Sequence, residues 1–268
     1  MTILVPTDFS EVANTAVRYA AMLAKKLDAK IILFHAVPHL SVWWALTNEE
    51  MVEEAHRKQQ QVKQTLIEEG VKADNIEMHV FYQFPLNKFI NDFIRKNKID
   101  IAVIGTKGTT GLKNAMMGSF ALGMIEHVSV PVIAVPPGAE LKGISNILYP
   151  TDMEDTSKEL KKILPYAIMF DSAIHVVHIS KNEMADKLKA WNKLKEIAQK
   201  AGYEKITTDI KTGGITESLI AASIKETHAD LLVMFPKQKG FFRQLFSGSV
   251  TEEMSHRITV PLFAIKKK

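Results

Sequence analysis

Three glycines and a serine follow an apolar stretch near the middle of the chain, at a spacing that suits the binding of an anion. Gly105 ends the stretch IDIAVI, Gly108 follows after two residues, and Gly118-Ser119 follows after nine more. Glycines permit a sharp turn and expose backbone N–H groups, because no side chain stands in the way. Ser119 stands where a helix begins, with unpaired N–H groups and the positive end of the helix dipole. The pattern predicts an anion site, of the kind most often used for phosphate.

Asp8 and Ser119 each have a second, structural interpretation. Asp8 stands in the sequence PTD after the first apolar strand, and Glu11 follows three residues later, as in a capping box. An N-cap role and a ligand role for Asp8 both stay open, as they do for Ser119. His35 and His178 end apolar strands, where a hydrogen-bonded core histidine is the ordinary interpretation.

The sequence carries no motif for catalysis. The nucleophile elbow GxSxG is absent, and no Walker A lysine follows a second glycine at the required spacing. The SGGxDS and HxGH signatures of ATP-dependent ligases and nucleotidylyl transferases are absent too. There is no HExxH motif, no Cys/His cluster and no calcium loop. We therefore expect a binding protein without catalytic residues or a metal site of its own, and at most slow, incidental hydrolysis of bound nucleotide.

The elements that must position the glycines alternate between strands and helices. Apolar runs at ILVP, KIILFHAV, IEMHVFY, IDIAVI and PVIAV predict buried strands, and residues 10–27 carry an apolar stripe at helical spacing. This alternation predicts a parallel sheet with right-handed crossovers and helices on both faces. Ligands of such sheets bind beyond the carboxyl ends of the strands, where the strand order reverses. We expect the loops that carry Asp8 and Gly105 to meet there.

The same pattern occurs twice. NILYPTDMEDTS, from Asn146, parallels TILVPTDFSEVA, from Thr2, and the glycine region has a second copy that aligns without a gap and ends in PLFAI. A repeat of this length indicates a duplicated domain. The stretch Pro136 to Gly143 is a plausible linker, so we predict domains at residues 1–139 and 140–268.

The second copy departs from the first at the glycines. At the positions of the first two glycines it has Phe235 and Gln238, and Pro236 lies between them. We expect the Phe235 ring to block close approach to the backbone, and Pro236 removes an N–H donor. Asp152 and Gly248-Ser249 are nevertheless kept. We predict that this copy has lost ordinary ATP binding and that the retained residues serve folding, a different ligand, or support of the first site.

Composition limits the class of protein. The chain has 268 residues, of which 46% are hydrophobic and 24% charged, as in a soluble two-domain protein. The absence of cysteine fits a cytoplasmic protein, and neither a signal peptide nor an apolar run of about 18 residues is present. The net charge is +4 with scattered lysines, which does not favour nucleic acid or membrane binding. We interpret Lys266 to Lys268 as a frayed, solubilising tail.

Taken together, PTD after the first strand, HA after the second and G-x2-G-x9-G-S after the fourth resemble the universal stress protein family, in its tandem two-domain form. The resemblance covers essentially the whole chain. It implies two doubly wound α/β domains, each a five-stranded parallel sheet with helices on both faces, Rossmann-like and adenine-nucleotide alpha hydrolase-like. It also implies pairing through the last strand, in a homodimer or an intrachain pseudo-dimer.

The resemblance implies that the first domain binds ATP, together with Mg²⁺ or Mn²⁺. Matched by position, the adenine and ribose side of the implied site comprises Pro6, Thr7, Asp8 and Ala36. The cleft wall and the phosphate loop comprise Ile104, Gly105, Lys107 and Gly108. The helix N-terminus comprises Gly118, Ser119 and Phe120. Family members often have Val-Thr after Gly-Ser, and Phe120-Ala121 stands there in this chain, so one hydroxyl donor is lost.

These observations lead to one hypothesis and one alternative. The hypothesis is a cytoplasmic, stress-response regulatory protein that holds ATP in its first domain, where nucleotide occupancy biases conformation or assembly. The alternative is a scaffold of the same fold that dimerises and docks partners without nucleotide. Phe120 and the altered second copy favour the alternative, whereas the intact first motif favours the hypothesis.

Overall fold

The computed structural model describes residues 1–36, 48–81, 86–106, 118–180, 187–213, 216–236 and 260–267. Their contacts form two compact units, residues 1–141 and residues 142–236 with 260–267. The stretch from Pro136 to Gly143 contains neither helix nor strand. Each unit is described by itself below.

Unit 1 is a parallel sheet with helical crossovers. Its strands are β1 (Thr2–Pro6), β2 (Lys30–Ala36), β3 (Ile76–Phe81), β4 (Ile101–Gly105) and β5 (Val132–Val135). Its helices are α1 (Glu11–Leu27), α2 (Asn48–Glu68), α3 (Leu86–Lys96) and α4 (Ser119–His127), with a short 3-10 turn at Ala73–Asn75. The strand order is β3-β2-β1-β4-β5, and every pairing among these strands is parallel.

The order of the strands in unit 1 reverses between β1 and β4. The chain moves from β1 outward to β3, then returns to the other side of β1 with β4 and β5. Right-handed crossovers in these two directions place α1 and α2 on one face and α3 and α4 on the other. The central strands are covered on both sides, since Ile3, Leu4 and Val5 are fully buried. This accounts for their continuous apolar sequence.

Unit 2 has the same topology. Its strands are β6 (Asn146–Thr151), β7 (Ala173–Ser180), β8 (Ile206–Thr212), β9 (Leu231–Met234) and β10 (Leu262–Ala264). Its described helices are α5 (Thr156–Phe170), α6 (Lys187–Lys200) and α7 (Thr216–Thr227). These strands pair in parallel in the order β8-β7-β6-β9-β10. The prediction of two tandem, doubly wound, five-stranded α/β domains is confirmed.

Two further observations bear on the sequence predictions. Within the described ranges, no helix combines the length and the apolar composition needed to cross a bilayer. The interpretation of the last lysines as a frayed tail was wrong for Lys267. Its ammonium lies 2.9 Å from Asp155 Oδ2 and 2.8 Å from Glu159 Oε1, and Glu159 is buried.

Candidate functional site

The ends of three neighbouring strands bring most of the predicted site residues of unit 1 to one edge of its sheet. Strand β1 lies between β2 and β4 and ends at Pro6, β2 ends at Ala36, and β4 ends with Ile104 and Gly105. All three strands run in the same direction, so these ends meet where the strand order reverses. The predicted ligands Lys107 and Gly108 lie outside the described residues.

The loop after β1 is held by its own side chains. The Thr7 hydroxyl accepts a hydrogen bond from the Phe9 N–H at 3.0 Å, and Asp8 Oδ1 accepts one from the Ser10 N–H at 3.0 Å. The Ser10 hydroxyl in turn caps α1, because it accepts from the Ala13 N–H at 3.2 Å. The N-cap is therefore Ser10, and the interpretation of Asp8 as the cap was wrong. One oxygen of the Asp8 carboxylate orders the loop ahead of the helix.

His35 joins the end of β2 to the same loop. Its Nδ1 lies 2.7 Å from the Thr7 carbonyl oxygen, which can only accept, so Nδ1 carries the proton. Burial lowers the pKa of His35, against the hydrogen bond to Thr7 and the charge of Asp8, while Lys58 contributes to the lowering. The equivalent His178 bonds the Thr151 carbonyl oxygen at 2.9 Å. The interpretation of both histidines as hydrogen-bonded structural residues is confirmed.

Gly105 is required by packing. It pairs with Val135 inside the sheet, and it is not among the residues with positive φ. A Cβ placed on it would lie 2.9 Å from the backbone oxygen of Val12 and 3.1 Å from Val12 Cγ1. Glycine therefore lets α1 lie close against the end of β4. The expectation that Gly105 provides a sharp turn was wrong.

Thr106 is a residue of this site that the sequence analysis missed. Its N–H donates to the Val135 carbonyl oxygen at 3.0 Å, and its own carbonyl oxygen accepts the N–H of Gly118. Thr106 is 3% exposed, and its hydroxyl has no hydrogen-bond partner among the described residues. Buried hydroxyls without a partner are uncommon in folded proteins, and a bound ligand, ion or water is a usual reason for one. The sequence offered one signal for Thr106, which is its position between Gly105 and Lys107 in the glycine motif.

Helix α4 begins beside the end of β4, and its first backbone N–H groups have no acceptor within the helix. Gly118 is the N-cap, so Ser119 is the first helical residue, and the N-cap interpretation of Ser119 was wrong. Within the described ranges no side chain caps this end of the helix, and the Gly118 N–H is already bonded to Thr106. The N–H groups of Ser119, Phe120 and Ala121 have no acceptor within the helix. Ser119 and Phe120 are exposed, so this end of α4 is open to an anion.

The loop after β6 in unit 2 repeats that of unit 1. The Thr151 hydroxyl accepts from the Met153 N–H at 3.0 Å, and Asp152 Oδ1 accepts from the Glu154 N–H at 3.0 Å. Met153 has φ 71°, as Phe9 has φ 63°. The retained PTD sequence therefore builds the same backbone in both copies.

The end of β9 differs from the end of β4. Phe235 stands in the place of Gly105, and its ring is 7% exposed, with its centroid 5.8 Å from that of Tyr149 in an edge-on arrangement. The ring is part of the core of unit 2. That a side chain at this position blocks close approach to the backbone stays a prediction. Gln238 and Gly248-Ser249 lie outside the described residues.

Metal-binding side chains do not gather in the part of the chain that the structure describes. There, no group of three or more His, Asp or Glu residues is placed to hold an ion. A divalent ion that accompanies a triphosphate usually takes ligands from phosphate and water, so such a group is not required for it.

Comparison with known proteins shows what the chain is similar to. The model of the Universal stress protein family matches residues 1–136 and again residues 143–266. A universal stress protein of Methanocaldococcus jannaschii is 33% identical over 140 residues, which cover 50% of this chain and 80% of that protein. Another, from Synechocystis sp., is 22% identical over 298 aligned positions, which cover 98% of this chain and 99% of that protein. The solved structure of a universal stress protein from Archaeoglobus fulgidus shares the fold, with a TM-score of 0.71, 22% identity, and coverage of 99% of this chain and 96% of that one.

Proposed function

Because the chain belongs to the universal stress protein family, as a tandem two-domain member, we propose that its first unit binds ATP at the carboxyl end of the sheet. The protein would act in the cytoplasm as a stress-response regulator whose conformation or assembly depends on nucleotide. Pairing through the last strand, in a homodimer or an intrachain pseudo-dimer, is part of the same proposal.

One observation carries the proposal. The N-terminus of α4, which no described side chain caps, begins directly beside the end of β4, because the Gly118 N–H donates to the Thr106 carbonyl oxygen. Three further N–H groups of α4 are without helical acceptors and the first side chains there are exposed. Partial positive charge at a helix N-terminus favours phosphate, and the site lies at the strand reversal where nucleotides bind in this class of sheet.

The remaining residues complete the proposed site in separate roles. Thr7 and Asp8, in the loop after Pro6, would lie beside the adenine and ribose, as would the backbone of Ala36. Ile104 and Gly105 would line the cleft, and Lys107 and Gly108 would contact the phosphates. The buried Thr106 hydroxyl, which has no partner in the described protein, supports a ligand atom or a bound water near the end of β4.

We further propose that the nucleotide is held and not turned over. The sequence has no Walker A lysine, and it carries no motif for a base with an orienting partner that would activate the attacking water. A bound Mg²⁺ or Mn²⁺ would offset the charge of the triphosphate.

A scaffold that binds no nucleotide is the competing function. Phe120 favours it, since this large apolar side chain is 42% exposed at the first turn of α4, where the phosphates would lie. Exposed aromatic side chains of this kind are common where proteins dock. In that case α4 would present its first turn to a protein partner.

The test begins with mass spectrometry of small molecules released from the denatured, purified protein. Calorimetric titration with ATP and ADP in excess Mg²⁺ follows, and it includes dAMP, the nucleotide in a solved complex of a universal stress protein from Archaeoglobus fulgidus. We expect co-purified adenine nucleotide and measurable affinity for ATP. A wild-type protein that carries no nucleotide and binds none would contradict the proposal. That result would favour the scaffold function.

The Ser119→Pro variant tests the position of the phosphates. Proline at the first helical position is well tolerated, and Gly118 already has the extended backbone (φ −72°, ψ 158°) that precedes a proline. The substitution removes the Ser119 N–H and leaves the helix in place. The matched Ser119→Ala variant removes only the hydroxyl. We expect at least a tenfold loss of ATP affinity in Ser119→Pro and a smaller loss in Ser119→Ala; equal binding by all three proteins would place the ligand elsewhere.

A further inference from the structure

Unit 2 contains a buried group of charged and hydroxyl side chains. Glu159, in the first turn of α5, is 5% exposed. One of its oxygens accepts a hydrogen bond from the hydroxyl of Tyr149, which is fully enclosed in β6. The other lies 2.8 Å from the ammonium of Lys267, which follows β10. The same ammonium lies 2.9 Å from Oδ2 of Asp155, the N-cap residue of α5.

These contacts join the consecutive elements β6 and α5 to the segment after β10, which is distant from both in the sequence. Tyr149 belongs to the strand at the centre of the sheet, Asp155 and Glu159 belong to the start of α5, and Lys267 belongs to the segment after β10. A further bond joins the same two regions, because the Lys162 ammonium donates to the Lys266 carbonyl oxygen at 2.8 Å. Three polar contacts therefore join the segment after β10 to the N-terminal half of α5 and its N-cap residue.

The electrostatics follow from this enclosure. A carboxylate buried without a cation is strongly unfavourable, so Glu159 depends on its hydrogen bond and on Lys267. The hydrogen bond and charge of Lys267 lower the pKa of Asp155. Burial acts to lower the pKa of Lys267, but the bonds to Glu159 and Asp155 outweigh it and raise the pKa. The ammonium is thus held in its charged form by the two carboxylates.

Unit 1 shows that the fold does not need this group. The equivalent positions are Val5 in place of Tyr149, Thr15 in place of Glu159, and Pro137 in place of Lys267. Val5 is buried and apolar, whereas Pro137 is exposed. The Thr15 hydroxyl only bonds back to its own helix, at 3.3 Å from the Glu11 carbonyl oxygen.

We propose that Glu159 and Lys267 form an ionic strap, which holds the segment after β10 closed over the start of α5 without any nucleotide. The strap is a conformational device specific to the second copy. While it is engaged, a lysine of the same chain occupies the carboxylates at the N-terminus of α5, and β10 is fixed at its carboxyl end. When the ion pair is lost, that end of β10 opens and the rest of the fold is kept.

Hydrogen exchange tests the strap in the full-length protein. The probe is the Ile265 N–H, which donates to the Met234 carbonyl oxygen at 3.0 Å at the end of β10. Lys267→Met keeps the aliphatic stem and removes the charge. Lys158→Met is the matched control, because Lys158 also faces Asp155, at 3.7 Å, but is 85% exposed. We expect Lys267→Met to speed exchange at Ile265 by about tenfold or more, with less than about a twofold change in the control and in β5 of unit 1.

The double variant Glu159→Gln/Lys267→Met separates the strap from the cost of an unpaired buried carboxylate. Its neutral amide still bonds Tyr149, so we expect protection of α5 as in the wild type, together with fast exchange at Ile265. If Lys267→Met does not fold, the double variant still tests the strap, because it has no unpaired buried carboxylate. Exchange at Ile265 within about twofold of the wild type in the double variant, or equal acceleration by Lys158→Met, would overturn the strap.

Discussion

The two units share the loop after their first strand and differ at the end of their fourth. Thr7 and Thr151 cap the loop in the same way, and the residues two positions later, Phe9 and Met153, share a left-handed backbone. This loop is therefore a requirement of the fold, whichever ligand is bound. The retained PTD sequence is weak evidence for nucleotide, and the end of the fourth strand is where the two copies diverge in chemistry.

Gly105 in unit 1 and Phe235 in unit 2 occupy equivalent positions, and they differ in how closely the first helix of the unit packs against the end of the fourth strand. In unit 1 the missing Cβ lets the Val12 backbone approach β4. In unit 2 the ring fills the interior beside Tyr149, and α5 begins at the fourth residue after Asp152, whereas α1 begins at the third residue after Asp8. The second copy has thus exchanged a close helix contact for an aromatic core.

The largest expected effect comes from emptying the aromatic core of unit 2. Phe235→Ala should destabilise this unit by about 3–5 kcal/mol, because it leaves a cavity beside Tyr149. Urea unfolding followed by hydrogen exchange, which reports on each unit, would measure this. Unchanged stability would mean that the Phe235 ring is not part of the core of unit 2.

The next largest expected effect comes from adding a side chain at the equivalent position of unit 1, Gly105. Gly105→Ala should destabilise unit 1 by about 1–3 kcal/mol and weaken ATP binding, since the new Cβ would press on the Val12 carbonyl. Gly123→Ala is the control, because a Cβ at Gly123, inside α4, meets nothing within 4 Å. That control should be neutral or stabilising by about 0.5–1 kcal/mol. Thermal unfolding of both variants measures the difference in stability. A Gly105→Ala protein as stable as the wild type would refute the packing role of Gly105.

Thr106→Val tests a second difference between the units at the end of the fourth strand, where unit 2 has Pro236 in place of Thr106. The Thr106 hydroxyl is buried and has no partner among the described residues, so replacing it with a methyl group should raise the stability of the nucleotide-free protein by about 1 kcal/mol. If the hydroxyl serves the ligand, affinity for ATP should fall at the same time. A fall in stability of the free protein would show instead that the hydroxyl has a structural partner.

The smallest expected effect concerns pH. Burial lowers the pKa of His35, so the unfolded chain binds its proton more readily than the folded one. The contribution of His35 is therefore fully present above its unfolded pKa, about 6.5, and is lost as the pH falls below it. His35→Gln should reduce the loss of unfolding free energy between pH 7 and pH 5. An identical pH profile in both proteins, measured by urea unfolding, would show that His35 does not titrate on unfolding.

The sequence predicted the fold because apolar periodicity and the internal repeat are local signals. It also predicted that the ends of β1 and β4, with Asp8 and Gly105 beside them, meet where the strand order reverses. It failed for Gly105, Thr106 and Lys267, and for one physical reason: the role of each depends on an atom that is distant along the chain. These distant atoms are the Val12 carbonyl oxygen for Gly105, the Val135 carbonyl oxygen for Thr106 and the Glu159 carboxylate for Lys267. Packing between elements positions them, so the spacing of residues within one element does not reveal them.

The central claim is that the chain binds one ATP, in its first unit, at the N-terminus of α4. Calorimetric titration of the wild type, of Ser119→Pro, and of Ser249→Pro at the equivalent position of the second copy tests this directly. We predict one ATP per chain for the wild type and for Ser249→Pro, and at least a tenfold loss of affinity for Ser119→Pro. Two sites per chain, or a loss caused by Ser249→Pro and not by Ser119→Pro, would contradict the claim.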